Sequence, residues 1–346
     1  MRKFFIWLTG IVAVVSVVLL AVLNIPALQD TLFERLSLVV MKQSPPELDG
    51  LRVVVCGSAS PLGNDPDRAQ ACIAVLTPEH FFIFDVGAGS QVRIGQAQLP
   101  MDRLSGVFLT HFHSDHIAAL PAINLNSWVA GAKTSLQVYG PAGVSRVVDG
   151  FNTAFSMDRG YRVAHHGEYI LPTSIGLMSA VSIEPGVVLR QGELKITAFP
   201  VDHSPVSPAM GYRVDYGGRS VVISGDTIAV DTLFSAARDA DLLFHDALSR
   251  NLIDILIPSA RQAGRERISK IMSDVIDYHA DSQEIESRAE QAGVGQLVLY
   301  HLVPVPSNVL TERMFRRGLS PDTILARDLM VFDLPLDSDK IRVTNP

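Results

Sequence analysis

The stretch Thr110-His111-Phe112-His113-Ser114-Asp115-His116 decides how this chain folds. Three of its ten histidines and one aspartate fall within six positions. The run before it, Gly106-Val107-Phe108-Leu109, is apolar and reads as a buried strand. Side chains alternate along a strand, so His111 and His113 point the same way as the strand gives out into a loop. They can grip one cation, while Asp115 and His116, past the bend, grip another. Imidazole with carboxylate suits zinc or a similar first-row metal.

Outward from this point, strands dominate. Leu51–Cys56, Ala71–Leu76, Phe81–Asp85 and Leu136–Tyr139 are short apolar runs bounded by turn residues. Val187–Leu189 and Leu194–Pro200 read as one hairpin, and Tyr212–Tyr216 and Ser220–Ser224 as another, turned by Gly217-Gly218. Leu242–His245 and Leu297–His301 are buried strands that each end on a histidine. Helices are expected at Val144–Phe155, Thr232–Ala240 and Glu284–Ala292, the last opened by the N-cap Asp281 and closed by Gly293. Residues 156–176 look irregular and polar. Strand blocks separated by helices imply a layered α/β domain.

The ends of the chain and its composition narrow the setting. Arg2 and Lys3 precede an uncharged run, Phe4–Leu23, long enough to span a bilayer as a helix. It reads as an uncleaved signal anchor at residues 1–23, in preference to a cleaved signal peptide, with the charges on the cytoplasmic side. Residues 24–48 read as a connector: a weak helical pattern from Asp30 to Met41, broken at Ser44-Pro45-Pro46. The catalytic domain is expected over 49–346, outside the cytoplasmic membrane. Net charge is −7 with no Lys/Arg block, so nucleic acid is not expected as a partner. The two cysteines, Cys56 and Cys72, form no C-x-x-C pair; two buried thiols are expected in preference to a disulfide.

Further metal-binding side chains sit where strands end. His203 follows Leu194–Val201, Asp226 follows Ser220–Ser224, His245 and Asp246 follow Leu242–Phe244, and His301 follows Leu297–Tyr300. Side chains at the same end of several strands converge on one rim. Thr227 either bonds to a ligand or caps the next helix.

The order of these elements resembles the metallo-β-lactamase superfamily, across essentially all of residues 50–335. The nearest pattern is its ribonuclease Z and arylsulfatase-like branch. That likeness is carried by Gly57-Ser58-Ala59-Ser60-Pro61, Asp67-Arg68, Asp85-Val86-Gly87-Ala88-Gly89-Ser90, Pro208-Ala209-Met210-Gly211-Tyr212-Arg213 and Tyr278-His279. The resemblance implies a four-layered αββα sandwich. It assigns His111, His113 and His203 to one metal, Asp115, His116 and His301 to a second, and Asp226 to both. The implied cofactor is two zinc ions, with Mn2+ or Fe2+ as alternatives. It casts Asp115, His279 and Asp246 as the catalytic side chains, with His279 as general acid or transition-state stabiliser. The branch carries a hydroxyl residue where Ala280 stands, and a glutamate where Asp246 stands. Asp246 is read as orienting a ligand or His279.

The implied reaction is metal-assisted hydrolysis of a small ester: a phosphodiester, an aryl sulfate or a related activated ester. Lactone or thioester hydrolysis is the second reading. A tRNA 3′ endonuclease is disfavoured, because ribonuclease Z holds tRNA with an arm inserted between the segments matching Gly211–Arg213 and Gly225–Thr227. Here one short hairpin joins them. A non-catalytic, membrane-anchored metal-binding protein is the remaining alternative. The partners implied are a small ester, the membrane through the N-terminal helix, and a second copy in a homodimer. Residues 249–278 carry apolar positions at helical spacing and are expected to pack on the sandwich. The sharper expectation is that they wall the pocket and select the substrate, with substrate choice shared by 151–190. His165 and His166 have no matching ligand role.

Overall fold

The computed structural model describes residues 2–41, 48–63 and 65–346. They divide into two units between Pro46 and Glu47. The first holds α1 (Arg2–Asn24) and α2 (Pro26–Met41), bent by 93° over Gly10–Asn24 and Pro26–Val39. Pro26 starts α2, where the missing N–H costs nothing. Among the described residues no single helix is long and apolar enough to cross a membrane; the bent pair is so only jointly. The expected break at Ser44-Pro45-Pro46 lies outside the described residues.

The second unit is built on two sheets. Strands β1 (Gly50–Gly57), β2 (Cys72–Leu76), β3 (Phe81–Phe84), β4 (Leu104–Phe108), β5 (Gln137–Gly140) and β6 (Ser179–Ser182) lie side by side in that order. The next seven form the other sheet, in reverse order of sequence. They are β7 (Gly186–Gln191), β8 (Leu194–His203), β9 (Val206–Tyr216), β10 (Arg219–Ile223), β11 (Leu242–Leu248), β12 (Gln296–Val303) and β13 (Ile324–Leu325). Then β14 (Val331–Pro335) and β15 (Arg342–Thr344) return to the first sheet beside β1. The helices are α3 (Ser90–Gln96), α4 (Ser114–Ile117), α5 (Leu120–Ala130), α6 (Val144–Ala154), α7 (Ser156–His166), α8 (Asp231–Ala236), α9 (Arg250–Gln262), α10 (Glu266–Asp274), α11 (Ser282–Gln291) and α12 (Val309–Phe315).

Three apolar clusters define four layers. Between the sheets, Leu51, Val53 and Val55 of β1 share a core with Ile196, Val214 and Phe244. The opposite face of β1, Val54 and Cys56, packs under α3, α5 and α6 through Ile94, Ile123 and Val148. On the far side, Val222, Leu243 and Leu299 meet Leu233 of α8, Ile285 of α11 and Phe315 of α12. Both faces of the central strands are covered, so they read as continuous apolar runs without alternation.

Three expectations need correction. Residues 156–176 are not irregular throughout, because Ser156–His166 is helical. The α7 helix is amphipathic, with Met157, Tyr161 and Ala164 at helical spacing, yet it buries none of its residues, and Met157 and Tyr161 are 67% and 59% exposed. Within it Arg162 pairs with Asp158 one turn away, at 2.8 Å. The 249–278 segment is two helices rather than one, broken at Gly264, whose φ of +70° suits glycine.

The third correction concerns the cysteines. Cys56 and Cys72 are joined in a disulfide across β1 and β2, with Cα atoms 4.9 Å apart. Side chains alternate along both strands, so Cys56, two on from Val54, and Cys72, two before Ala74, share the outer face, and the register that pairs Val55 with Ile73 sets them opposite each other. Closing a loop of this length constrains the unfolded chain by about 3 kcal/mol. Replacing both cysteines by alanine should lower the denaturant midpoint accordingly. An unchanged midpoint would mean the bond adds nothing.

Candidate metal centre

Five chain segments end on one side of the sandwich and bring seven side chains together. The loop after β4 carries His111 and His113, and the first turn of α4 carries Asp115 and His116. His203 is the last residue of β8. Asp226 follows Gly225, whose φ is +65° and where a Cβ would sit 2.8 Å from the Cβ of Thr110. Only glycine lets the Asp226 loop lie so close to the histidine loop. His301 lies inside β12, not at its end. The ladder with β11 passes from Asp246–Tyr300 to Ala247–Leu302, leaving His301 as an extra residue with φ +42°. That bulge turns its imidazole out of the sheet and into the cluster.

Three groups of donor atoms share Asp226: His111, His113, His203 and Asp226; Asp115, His116, Asp226 and His301; and Asp226 and His301 with Asp246 and His279, the last two already bonded to each other. In the first, His113 Nδ1 lies 3.0 Å from His111 Nε2 and 3.3 Å from His203 Nε2. Asp226 Oδ2 lies 3.8 Å from His203 Nε2 and 3.9 Å from His111 Nε2. In the second, Asp226 Oδ2 is 3.2 Å from His116 Nε2, and Asp115 Oδ2 is 3.0 Å from His301 Nε2. Donors held 2.0–2.1 Å from a tetrahedral zinc stand about 3.3–3.4 Å from each other. The observed spacings bracket that value. Asp226 Oδ1 and His301 Nδ1 are buried without a hydrogen-bond partner, an expensive state that a cation relieves. The residues therefore fit a divalent metal.

The charges are mutually supporting. Burial alone would depress His116, but Asp226, Asp85 and Asp115 more than reverse this and raise it well above the usual imidazole value. Burial would raise Asp226, yet His116 and His301 hold it far below the usual carboxylate range. His111 is pushed well down, first by burial and then by His116, so it stays neutral and able to ligate. Metals and protons compete for the same nitrogens, so affinity must fall as pH falls.

A further ring of contacts orients these ligands. Asp85 was missed as a site residue. Its carboxylate accepts from the N–H of Thr110 and the Thr110 hydroxyl, both at 2.8 Å, and lies 2.8 Å from His116 Nδ1. That fixes the His116 ring with Nε2 toward the cluster. The signal was an aspartate at a strand end with φ +56°, but its partners lie 25 and 31 residues away. The backbone carbonyl of Tyr278 lies 3.0 Å from His203 Nδ1 and does the same for that ring. Thr227 Oγ1 donates to the carbonyl of Asp202, tying the His203 and Asp226 loops together. Asp85→Asn keeps the shape and tolerates the positive φ. It should weaken metal binding by about tenfold, read by competition with a chromogenic chelator; unchanged affinity would remove Asp85 from this role.

Asp246 and His279 stand beside the cluster. Asp246 is fully buried on β11, and its Oδ2 lies 2.8 Å from His279 Nδ1. His279, just before α11, stacks at 5.4 Å on His301 and lines a cavity of about 440 Å³ with His113, Asp115 and Asp226. His245 is turned away, stacked at 5.8 Å on Phe234. His165 and His166 end α7, exposed, and do not line the cavity. Nor does any other residue of 151–190 line it, whereas Ile271, Val275, Tyr278 and His279 do.

Residues 82–302 match the family model described as a beta-lactamase superfamily domain. The chain belongs to the metallo-β-lactamase superfamily. Divalent metal binding goes with that fold, in agreement with the donor set. Among relatives within the superfamily, ribonuclease Z of Mycobacterium bovis (strain BCG / Pasteur 1173P2) is 35% identical, over 73% of this chain and 86% of its own length. Ribonuclease Z of Mycobacterium marinum is 36% identical, over 73% and 87%. Two solved structures share the superfamily fold. The metallo-beta-lactamase fold protein YhfI from Bacillus subtilis has a TM-score of 0.59 at 20% identity, covering 83% of this chain and all of that one. Human tRNase Z, short form, has 0.56 at 20%, covering 82% and 99%.

Proposed function

We propose that this superfamily hydrolase cleaves a small phosphodiester, using two divalent ions, zinc in the first instance. His111, His113 and His203 would hold one, Asp115, His116 and His301 the other, and Asp226 both. The observation that carries the reading is the sharing of one buried carboxylate, Asp226, between two complete donor sets. Ions bound there would make water nucleophilic near neutral pH and polarise the oxygens of the group under attack. The chain supplies the rest. Asp246 Oδ2 holds His279 by Nδ1, which leaves Nε2 for the cavity. From there Nε2 delivers a proton to the departing oxygen.

Precursor tRNA is a second reading, favoured by 35% identity to ribonuclease Z. Against it, Gly217-Gly218 closes the β9–β10 hairpin in two residues, where the tRNA-holding arm would be inserted. The anchored, extracytoplasmic location is part of the proposal. It is supported by the apolar N-terminal pair of helices and by a disulfide, which persists in oxidising compartments. The test is a panel of chromogenic substrates (phosphodiester, sulfate, lactone, β-lactam) beside a precursor tRNA, run with the protein and with His113→Ala. Turnover of the diester that His113→Ala abolishes supports the first reading. Cleavage confined to tRNA supports the second, and turnover indifferent to His113 sinks both.

A further inference from the structure

The cavity above the metal cluster has two unlike halves. Its floor is the polar set already described. Its walls are Pro61, Leu62, Ile271, Val275, Val303 and the ring of Tyr278. Among the described residues that line it there is no lysine and no arginine. A volume of about 440 Å³ lies within the range of pockets that enclose a small organic ligand.

The apolar wall is built, not incidental. Ile271, Val275 and Tyr278 follow one another at i, i+4 and i+7, on one face of α10 and the 3-10 turn Val275–Asp277 that continues it. That helix is seated by Val275, which packs with Leu248, Ile253 and Val303, flanked by Leu62, Met272 and Ile276. Ser269 bonds to the carbonyl of Ile257 at 3.0 Å, which locks α10 against α9. Across the cavity, the Ser60 hydroxyl donates to the carbonyl of Leu302 at 2.7 Å, and the N–H of Val305 to that of Leu62 at 3.0 Å. Both sides are therefore fixed to the sheet. Ile271 is 47% exposed even so: a large apolar side chain left uncovered at the mouth of an otherwise packed wall.

Charge decides what can lie there. The cluster would neutralise the one group under attack. Any further anionic group would face aliphatic carbon with no cation to meet it, and would be desolvated without return. An alkyl or aryl substituent would instead bury its surface against Ile271, Val275 and Leu62.

Resting on the hydrolase reading above, we infer that the substrate is a monoanionic ester whose substituent beside α10 is an uncharged alkyl or aryl group. The shared chemistry is an apolar arm of several carbons, from a lipid-like ester or from an aromatic one.

The test uses the full-length protein and p-nitrophenyl phosphodiesters whose second ester group is varied: methyl to octyl, benzyl and naphthylmethyl, and the same alkyl chains ending in a carboxylate. For the alkyl series kcat/KM should rise by about fourfold per methylene until the wall is covered. The carboxylate-ended chains should lose at least about tenfold against their neutral equivalents. Ile271→Glu should flatten the rise, with circular dichroism and thermal unfolding confirming that the variant is folded. A rise in the alkyl arm alone assigns a lipid-like group, and a rise in the aryl arm alone an aromatic one; either supports the inference. Turnover of the methyl diester with both the alkyl and the aryl arms flat or falling overturns the inference and leaves the hydrolase reading standing. So does an Ile271→Glu slope equal to that of the wild type. Inactivity on every diester overturns both.

Discussion

Asp226→Ala should reduce kcat/KM by more than about 10³-fold. A metal acting as Lewis acid contributes several kcal/mol to the transition state, and each 1.4 kcal/mol is about tenfold. Asp226 is the one side chain that belongs to both donor sets, so its loss weakens both at once. Metal content should fall with activity, and excess metal should restore little of either. The comparison is His113→Ala, which removes one donor from a single set. If Asp226→Ala keeps its full complement of metal, the shared-carboxylate geometry has been misread.

His279→Ala should cost about 10²–10⁴-fold in kcat for a substrate with an alkoxide leaving group. The loss should shrink for p-nitrophenolate, which departs without needing a proton. That contrast separates proton delivery from a structural role, since a collapsed site would slow both equally. Metal content should be largely retained, because His279 belongs neither to the set built on His111 nor to that built on His116, and in its own grouping with Asp226, Asp246 and His301 it is already held by Asp246. Asp246→Asn, which keeps the side chain's shape but weakens its hold on Nδ1, should follow the same leaving-group pattern at a smaller cost of about 10–100-fold. Equal losses for good and poor leaving groups would reassign the pair to packing.

Much of the centre could be read from sequence because it is locally encoded. His111, His113, Asp115 and His116 lie within six positions, and strand alternation is enough to group the first two. His203 and Asp226 stand at strand ends that composition marks clearly. Less was legible where position depends on distant partners. Asp85 acts through Thr110 and His116, and no local pattern announces that bond. The disulfide depends on the register between β1 and β2, which sets Cys56 opposite Cys72 and which neither strand states by itself. The α7 helix was hidden because its apolar positions at helical spacing, Met157, Tyr161 and Ala164, are scattered among polar residues around Gly160. Edge strands such as β6 and β15 are short and half exposed or fully so, and leave almost no hydrophobic signature.

His301 makes the cost of this arrangement concrete. The ladder between β11 and β12 is regular up to Tyr300 and regular again from Leu302. A chain one residue shorter at this point could pair without interruption, and it would avoid a left-handed backbone that disfavours any side chain by about 1 kcal/mol. The sheet would gain, and the metal centre would lose one of its buried ligands. Selection for stability alone would therefore tend to erase position 301. A bulge that costs the sheet and serves the donor cluster marks where stability yields to the site, and a screen for stabilising deletions in this strand should return better-folded proteins that bind metal poorly.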